Sequence, residues 1–359
     1  MNKFLIVVGV IIVLAILLTI LLFVVWPISS PPKKTEDAKP EGNAALYVST
    51  DGGSAWEALD SSRGLTPSVF EFKKNDPAQF YIGTKGKGLW LARDGGRTIT
   101  QVKDPKNVLL DTADVYGISQ DEKGDTLYLA VYQNNYGRVL RLRESGAEEL
   151  YSVPIERYLV TGVLVGLKNE KKIWVSSSDG NFLESLDGGT TWEIIASTRE
   201  SFKILIRHPT EDGTFWAVTE GNKLYTTDSG GRLWHERAKI SIEDEGQRAQ
   251  AKVIYELEYN PYSRSLMAAS DYGIIESIDN GKSWHTFRTP LPPASIHVTA
   301  VRSHPLFGEV FWVGASNQIY RTDDGGITWS KHLLPVQGTI TMLQVDSTNP
   351  KRIYAGLSY

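Results

Sequence analysis

The sequence predicts an all-β fold: a seven-bladed β-propeller closed by pairing its first and last strands, preceded by one N-terminal transmembrane helix. Three observations predict it. A turn phrase, Ser/Thr-x-Asp-x-Gly-x-Ser/Thr-Trp, recurs at steps of about 45 residues. Each interval holds four short apolar runs, the content of one propeller blade. The domain opens on half a unit and closes on the complementary half, so the two ends make one blade.

The phrase is complete at Ser185–Trp192, Ser277–Trp284 and Thr322–Trp329, and nearly so at Ser49–Trp56. Two copies are worn. Asp94-Gly95-Gly96-Arg97-Thr98-Ile99 lacks the tryptophan, and Thr227–Trp234 has Ser229 where the aspartate belongs. The aspartate position falls at residues 51, 94, 187, 229, 279 and 324, in steps of 43, 93, 42, 50 and 45. The step of 93 is two periods. It predicts a degenerate unit near residue 140, where Tyr136 to Tyr151 reads as strand, turn and strand about Glu144-Ser145-Gly146.

The chemistry of the phrase is that of a folded turn. The carboxylate of Asp51, Asp187, Asp279 or Asp324 accepts backbone N–H groups of its own loop. Glycine supplies positive φ where the chain reverses. The tryptophan, at Trp56, Trp192, Trp234, Trp284 and Trp329, covers the turn with a large apolar face. In the first full unit strand A is expected at Val69 to Phe72, B at Phe80 to Thr84, C at Leu89 to Ala92 and D at Ile99 to Val102. Asp76-Pro77, His208-Pro209, Asn260-Pro261, His304-Pro305 and Asn349-Pro350 mark A–B turns, since proline presets a turn and cannot continue a central strand. The half units are Leu46 to Ser49 with Trp56 to Leu59, and Thr339 to Val345 with Arg352 to Gly356.

This phrase resembles the Asp-box, or bacterial neuraminidase repeat, and the resemblance covers nearly all of residues 44 to 359. Propellers with Asp-boxes include sialidases, xyloglucanases, sortilin-type receptors and the photosystem II assembly and stability factors. Sialidases have six blades and a Phe/Tyr-Arg-Ile-Pro element, and no Arg-Ile-Pro occurs here. Xyloglucanases of this type set a cleft between two propellers. Sortilin-type receptors have ten blades and a cysteine-rich module, and this chain has no cysteine. The photosystem II assembly-factor type, one seven-bladed propeller outside a membrane with no catalytic set, is the most similar. In that family an arginine-rich surface is implicated in partner binding.

The segment 4–26 is an uncharged apolar run of 23 residues. As a helix it would be about 35 Å long, enough for a hydrocarbon core of about 30 Å. A cleaved signal peptide would need a shorter core and a small-x-small site, which the sequence after Trp26 does not offer. The reading is a signal anchor. Lys3 and the free amine precede it without an acid, so residues 1–3 are expected in the cytoplasm and the propeller outside, on the cell membrane. Residues 27–43, with prolines and balanced charge, read as a flexible linker. The net charge of −4 gives no footprint for nucleic acid. Absence of cysteine excludes disulfides, thiolate metal sites, a thiol nucleophile and a lipoprotein anchor. No metal site or cofactor is expected.

A binding site is expected on the face opposite the Asp-boxes, where the B–C and D–A loops surround the channel. The D–A loops carry Arg63, Arg157, Tyr158, Arg199 and Arg248, and the B–C loops Lys85, Asp179 and Asp271. Four arginines from four units suit capture of carboxylate or phosphate. The long connection Lys239 to Lys252 is polar, as functional loops often are. The leading reading is a non-catalytic scaffold that binds a protein or glycan partner. The alternative is a divergent glycoside hydrolase using two carboxylates among Asp111, Asp114, Asp179, Glu200, Glu220 and Asp271, about 5–9.5 Å apart.

Overall fold

A computed structural model describes residues 43–237, 240–244, 247–287, 289–291 and 294–359. The expected anchor at 4–26 and nearly all of the linker lie outside them. Among the described residues no helix is long and apolar enough to cross a membrane.

Seven four-stranded antiparallel sheets follow one another along the chain. Blade I is Pro67–Phe72, Phe80–Thr84, Leu89–Arg93 and Thr98–Gln101, lettered A to D from the channel outward. Blade II is Asp114–Gln120, Leu127–Gln133, Tyr136–Arg143 and Gly146–Ser152, so the degenerate unit is a blade whose strands C and D meet in a tight hairpin. Blades III to VI occupy 160–197, 202–236, 254–286 and 300–333. Blade VII takes Thr339–Val345 and Ile353–Ser358 from the end of the chain, and Leu46–Ser49 and Glu57–Ala58 from its start. Ser49 pairs with Ile353 and Leu46 with Gly356, which closes the ring. Among the described residues the clasp therefore leaves no open strand edge at the seam.

Each blade alternates side chains between its two faces, so each face must be covered by the next blade. The apolar residues accordingly gather into seven clusters, one at each junction. Phe70, Phe80 and Ile82 of blade I meet Leu46, Val48 and Tyr354 of blade VII. Trp174 and Phe182 of blade III meet Phe202 and Phe215 of blade IV. Trp312 of blade VI packs on Leu343 and Ile353 of blade VII, and its Nε1–H donates to Gly52 O at 3.0 Å.

The Asp-box turns follow one plan. In blade III Asp187 accepts the N–H groups of Thr190 and Thr191 at 3.0 and 2.9 Å and the Thr191 hydroxyl at 2.7 Å. Ser185 Oγ donates to Asp187 and accepts Gly189 N–H, and Trp192 Nε1–H returns to Gly189 O. The Thr191 bonds hold the Asp187 carboxyl down at about 2. Burial pushes Asp279 up, but the Ser283 hydroxyl and backbone N–H outweigh it and bring it to about 2. Asp51 and Asp324 make the same kind of bonds and are also lowered.

The worn copies differ. Two residues before Asp94, where a serine or threonine should stand, is Ala92, and the Asp94 carboxylate makes no hydrogen bond among the described residues. In blade IV, Ser229 Oγ takes over part of the task by accepting Leu233 N–H at 2.9 Å. Trp234 keeps its packing, but its buried Nε1–H has no partner among the described residues, and the same holds for Trp284 of the complete box in blade V. Blade II has no box. Asp104, from the preceding connection, reaches it instead and accepts N–H groups of Lys106, Val108, Leu109 and Ala147 at 2.6–3.1 Å.

The connection expected to be a polar loop at 239–252 contains a hairpin, Ser241–Asp244 against Gln247–Gln250. Ile242 is fully buried and bridges in parallel to Trp284, so the hairpin extends blade V outward. Ile240, Ile242 and Ala251 supply the cause, since they bury against blades IV and V.

The A–B turns make one prediction. His208 Nδ1 accepts the N–H of Glu211 at 3.1 Å, and His304 Nδ1 those of Leu306 and Phe307 at 3.0 and 3.2 Å. In blade V the amide oxygen of Asn260 does the same for Tyr262 and Ser263. An accepting Nδ1 cannot carry a proton. Burial, and then Arg321, hold His304 below the usual imidazole range. Its contribution is therefore complete above the unfolded value near 6.5 and is lost as pH falls through the lower folded value. His304→Asn is expected to leave the melting temperature unchanged at pH 7.5 and to soften its decline below pH 6.5. A melting series from pH 5 to 8 checks it, and identical slopes would refute it.

Candidate functional site

The channel is lined by strands A, which do not pair with one another through their backbones. Side chains bridge them instead. Gln120 of blade II donates to Phe72 O at 2.6 Å and accepts Lys74 N–H at 3.1 Å, both of blade I. Arg207 of blade IV donates to Val165 O of blade III. Glu256 and Glu258 of blade V accept the N–H groups of Val301 and Ser303, each at 2.9 Å, and flank Arg302, which donates on to Leu343 O of blade VII. Burial pushes Glu256 up to about 7, against the pull of Arg302, and raises Glu71 and Glu258 as well. The sequence reading missed this ring. Its signal is a charge at every second place of an apolar strand, as in Glu256-Leu257-Glu258.

On the face opposite the boxes the eight expected residues fare differently. Asp179 is taken up by its own turn, accepting from Ser177 Oγ, Asn181 N and Asn181 Nδ2. Asp271 accepts Lys252 N–H at 2.9 Å and Val253 N–H at 3.1 Å, fastening a B–C turn to the neighbouring D–A connection. Arg63 is paired with Asp60 at 2.5 Å. Lys85 is exposed, and its backbone is held by Thr66. Arg248 lies on the outer hairpin opposite Glu243, away from the loop ring where the sequence had placed it.

Arg157, Tyr158 and Arg199 stand apart. Arg157 and Arg199 are exposed and make no ion pair among the described residues. They sit on the two D–A loops that flank blade III. Both take left-handed backbone, at φ 68 and 59, which is uncommon for a long side chain and costs of order 1–3 kcal/mol. The surroundings enforce it. Arg157 N–H donates to Asn135 O and Gly137 N–H to Tyr158 O, both at 2.8 Å. A Cβ on Gly180 would fall 2.9 Å from Arg199 N, and one on Gly137 2.3 Å from Val160 N, so only glycine lets these turns clamp the arginine loops. Ile155 and Tyr158 expose apolar surface beside Arg157.

Of the other carboxylates weighed for this face, Glu220 is exposed and makes no side-chain bond among the described residues, and the remaining three are engaged. Asp114 accepts Gly86 N–H at 2.5 Å and Asp111 pairs with Lys103 at 2.6 Å. Glu200 binds Lys223 at 2.6 Å and the Thr219 hydroxyl at 2.7 Å, bonds that lower its carboxyl. A general acid for glycoside cleavage needs a raised carboxyl. The raised ones lie in the channel, Glu256 and Glu258 bonded to blade VI and Glu71 to Gln120 of blade II.

The BNR/Asp-box repeat family matches residues 320–331, the box of blade VI. The chain is a seven-bladed β-propeller with Asp-box turns. No curated protein matches its sequence. Among solved structures the Asp-box propeller is similar to YCF48 bound to D1 peptide, at 16% identity and TM-score 0.62 over 82% of this chain and 93% of that one. It is similar to YCF48 from Cyanidioschyzon merolae at 14% identity and TM-score 0.62, over 82% and 97% of the two chains. The β-propeller domain of Myceliophteria thermophila Cps50 (Swd1) matches at 11% identity and TM-score 0.57, over 83% and 98%. At such identities the likeness is one of fold. Its first two members are of the photosystem II assembly-factor type that the repeat suggested.

Proposed function

We propose that this Asp-box propeller is a non-catalytic assembly scaffold that binds an anionic segment of a protein partner on the loop face, through Arg157 and Arg199 with Tyr158 beside them. One observation carries the reading: two exposed arginines on glycine-clamped loops have no ion pair among the described residues, whereas Asp111, Asp114, Asp179, Glu200 and Asp271 of that face are engaged within the fold. Loops held in place before a partner arrives lose little freedom on binding. Arginine offers a bidentate fork to carboxylates. A structurally similar YCF48 is bound to D1 peptide, which supports a polypeptide partner over a glycan. The membrane anchor at 4–26, with the propeller outside the cytoplasm, is part of the proposal and rests on sequence.

The full chain, purified from membranes after in-cell crosslinking, should co-purify its partner. Arg157→Glu with Arg199→Glu is expected to cut that recovery about tenfold or more, as loss of central charge contacts does, with an unchanged melting temperature. Unaltered recovery would refute the reading.

A further inference from the structure

The box face carries a groove of about 1560 Å³ around the tip of blade II. Its cause is the missing Asp-box. Strands C and D of blade II are joined by two residues, 144–145, where those of blade III are joined by seven, 186–192. The absent turn leaves open the space between blade I and the A–B turn of blade III. The floor is apolar, with Tyr81, Leu91 and Leu142, and the rim is charged in both signs. Lys123, Lys168 and Lys171 stand on the rim beside Glu122, Glu144 and Glu170, all exposed and none in an ion pair among the described residues.

We propose that this groove is a second binding site, for an extended polypeptide segment that alternates apolar with charged residues of both signs. Small-molecule pockets run to about 1,000 Å³, and this volume exceeds them. A polyanion such as nucleic acid, or an anionic membrane, calls for a rim of one sign. An extended chain sends successive side chains to opposite sides, so apolar ones can reach the floor while charged ones meet the rim.

The site is independent of Arg157 and Arg199, so it stands or falls separately from the proposed function. The test uses the full chain in detergent, panned against a displayed random dodecapeptide library, with binding of the enriched peptides measured by fluorescence anisotropy. Two groove variants serve, each at an exposed position: Ser145→Trp, which fills the space, and Lys171→Glu, which changes the rim. Enriched peptides should lose about tenfold in affinity with either variant and bind the Arg157→Glu/Arg199→Glu chain unchanged. Failure to enrich any peptide, undiminished binding to both groove variants, or loss only with the arginine variant would overturn the proposal.

Discussion

A chain ended at Arg352 is expected to lose its cooperative unfolding transition altogether. The missing strand, Ile353–Ser358, pairs with Thr339–Val345 on its inner side and Leu46–Ser49 on its outer side, and among the described residues no other strand joins the two. Without it blade VII separates into one strand and one hairpin, and two junction clusters lose a wall. Ile353, Tyr354, Ala355 and Leu357 are all buried. Tyr354 lies 4.7 Å from Phe80 and 5.5 Å from Phe70, centroid to centroid. Deleting one large buried side chain costs about 3–5 kcal/mol, and whole domains hold only about 5–15. Tyr354→Ala alone is therefore expected to cost about 3–5 kcal/mol, and the truncation to exceed the total. Urea titration followed by tryptophan fluorescence checks both. A sigmoidal transition of undiminished slope in the truncated chain would mean that blade VII is not the clasp.

Stability is also expected to fall as pH rises from about 4.5 to 7, because of Glu256. Its folded pKa of about 7 lies above the ordinary 4.5. The folded protein thus keeps a proton that the unfolded chain releases across that window, and the stabilisation present below it is lost as pH rises through it. A gap of this size corresponds to about 3 kcal/mol. Glu256→Gln keeps an oxygen for Val301 N–H or Arg302 and leaves Glu258 to pair with Arg302. The variant should be less stable than wild type at pH 5, more stable at pH 8, and cross it between. Parallel curves would show that Glu256 titrates normally in its place.

The fold was legible because a repeat announces itself many times over. The run Phe80–Thr84 is strand B of blade I as read, and Thr339–Val345 is strand A of blade VII as read. The worn unit near residue 140 was found by counting, with no box to mark it. The hairpin at 241–250 was not legible, since Ile240, Ile242 and Ala251 are scattered apolar residues in a charged stretch and their burial depends on blades IV and V. The site was less legible for a related reason. Sequence placed charges on the loop face, but which are engaged depends on partners far along the chain: Asp114 on Gly86, Glu200 on Lys223, Asp271 on Lys252. Asp104 and the ring of inner-strand carboxylates escaped notice for the same cause.

The way the chain starts has a mechanical consequence. Leu46–Ser49 lies between Ile353–Ser358 and Glu57–Ala58, paired along both edges. Ladder bonds run across the strand axis. A pull on residue 43 directed along that axis therefore strains them together, in shear, instead of opening them one by one. The point where a tug through the N-terminal segment would arrive is also the point where the ring is fastened, so traction there tests the whole latch at once.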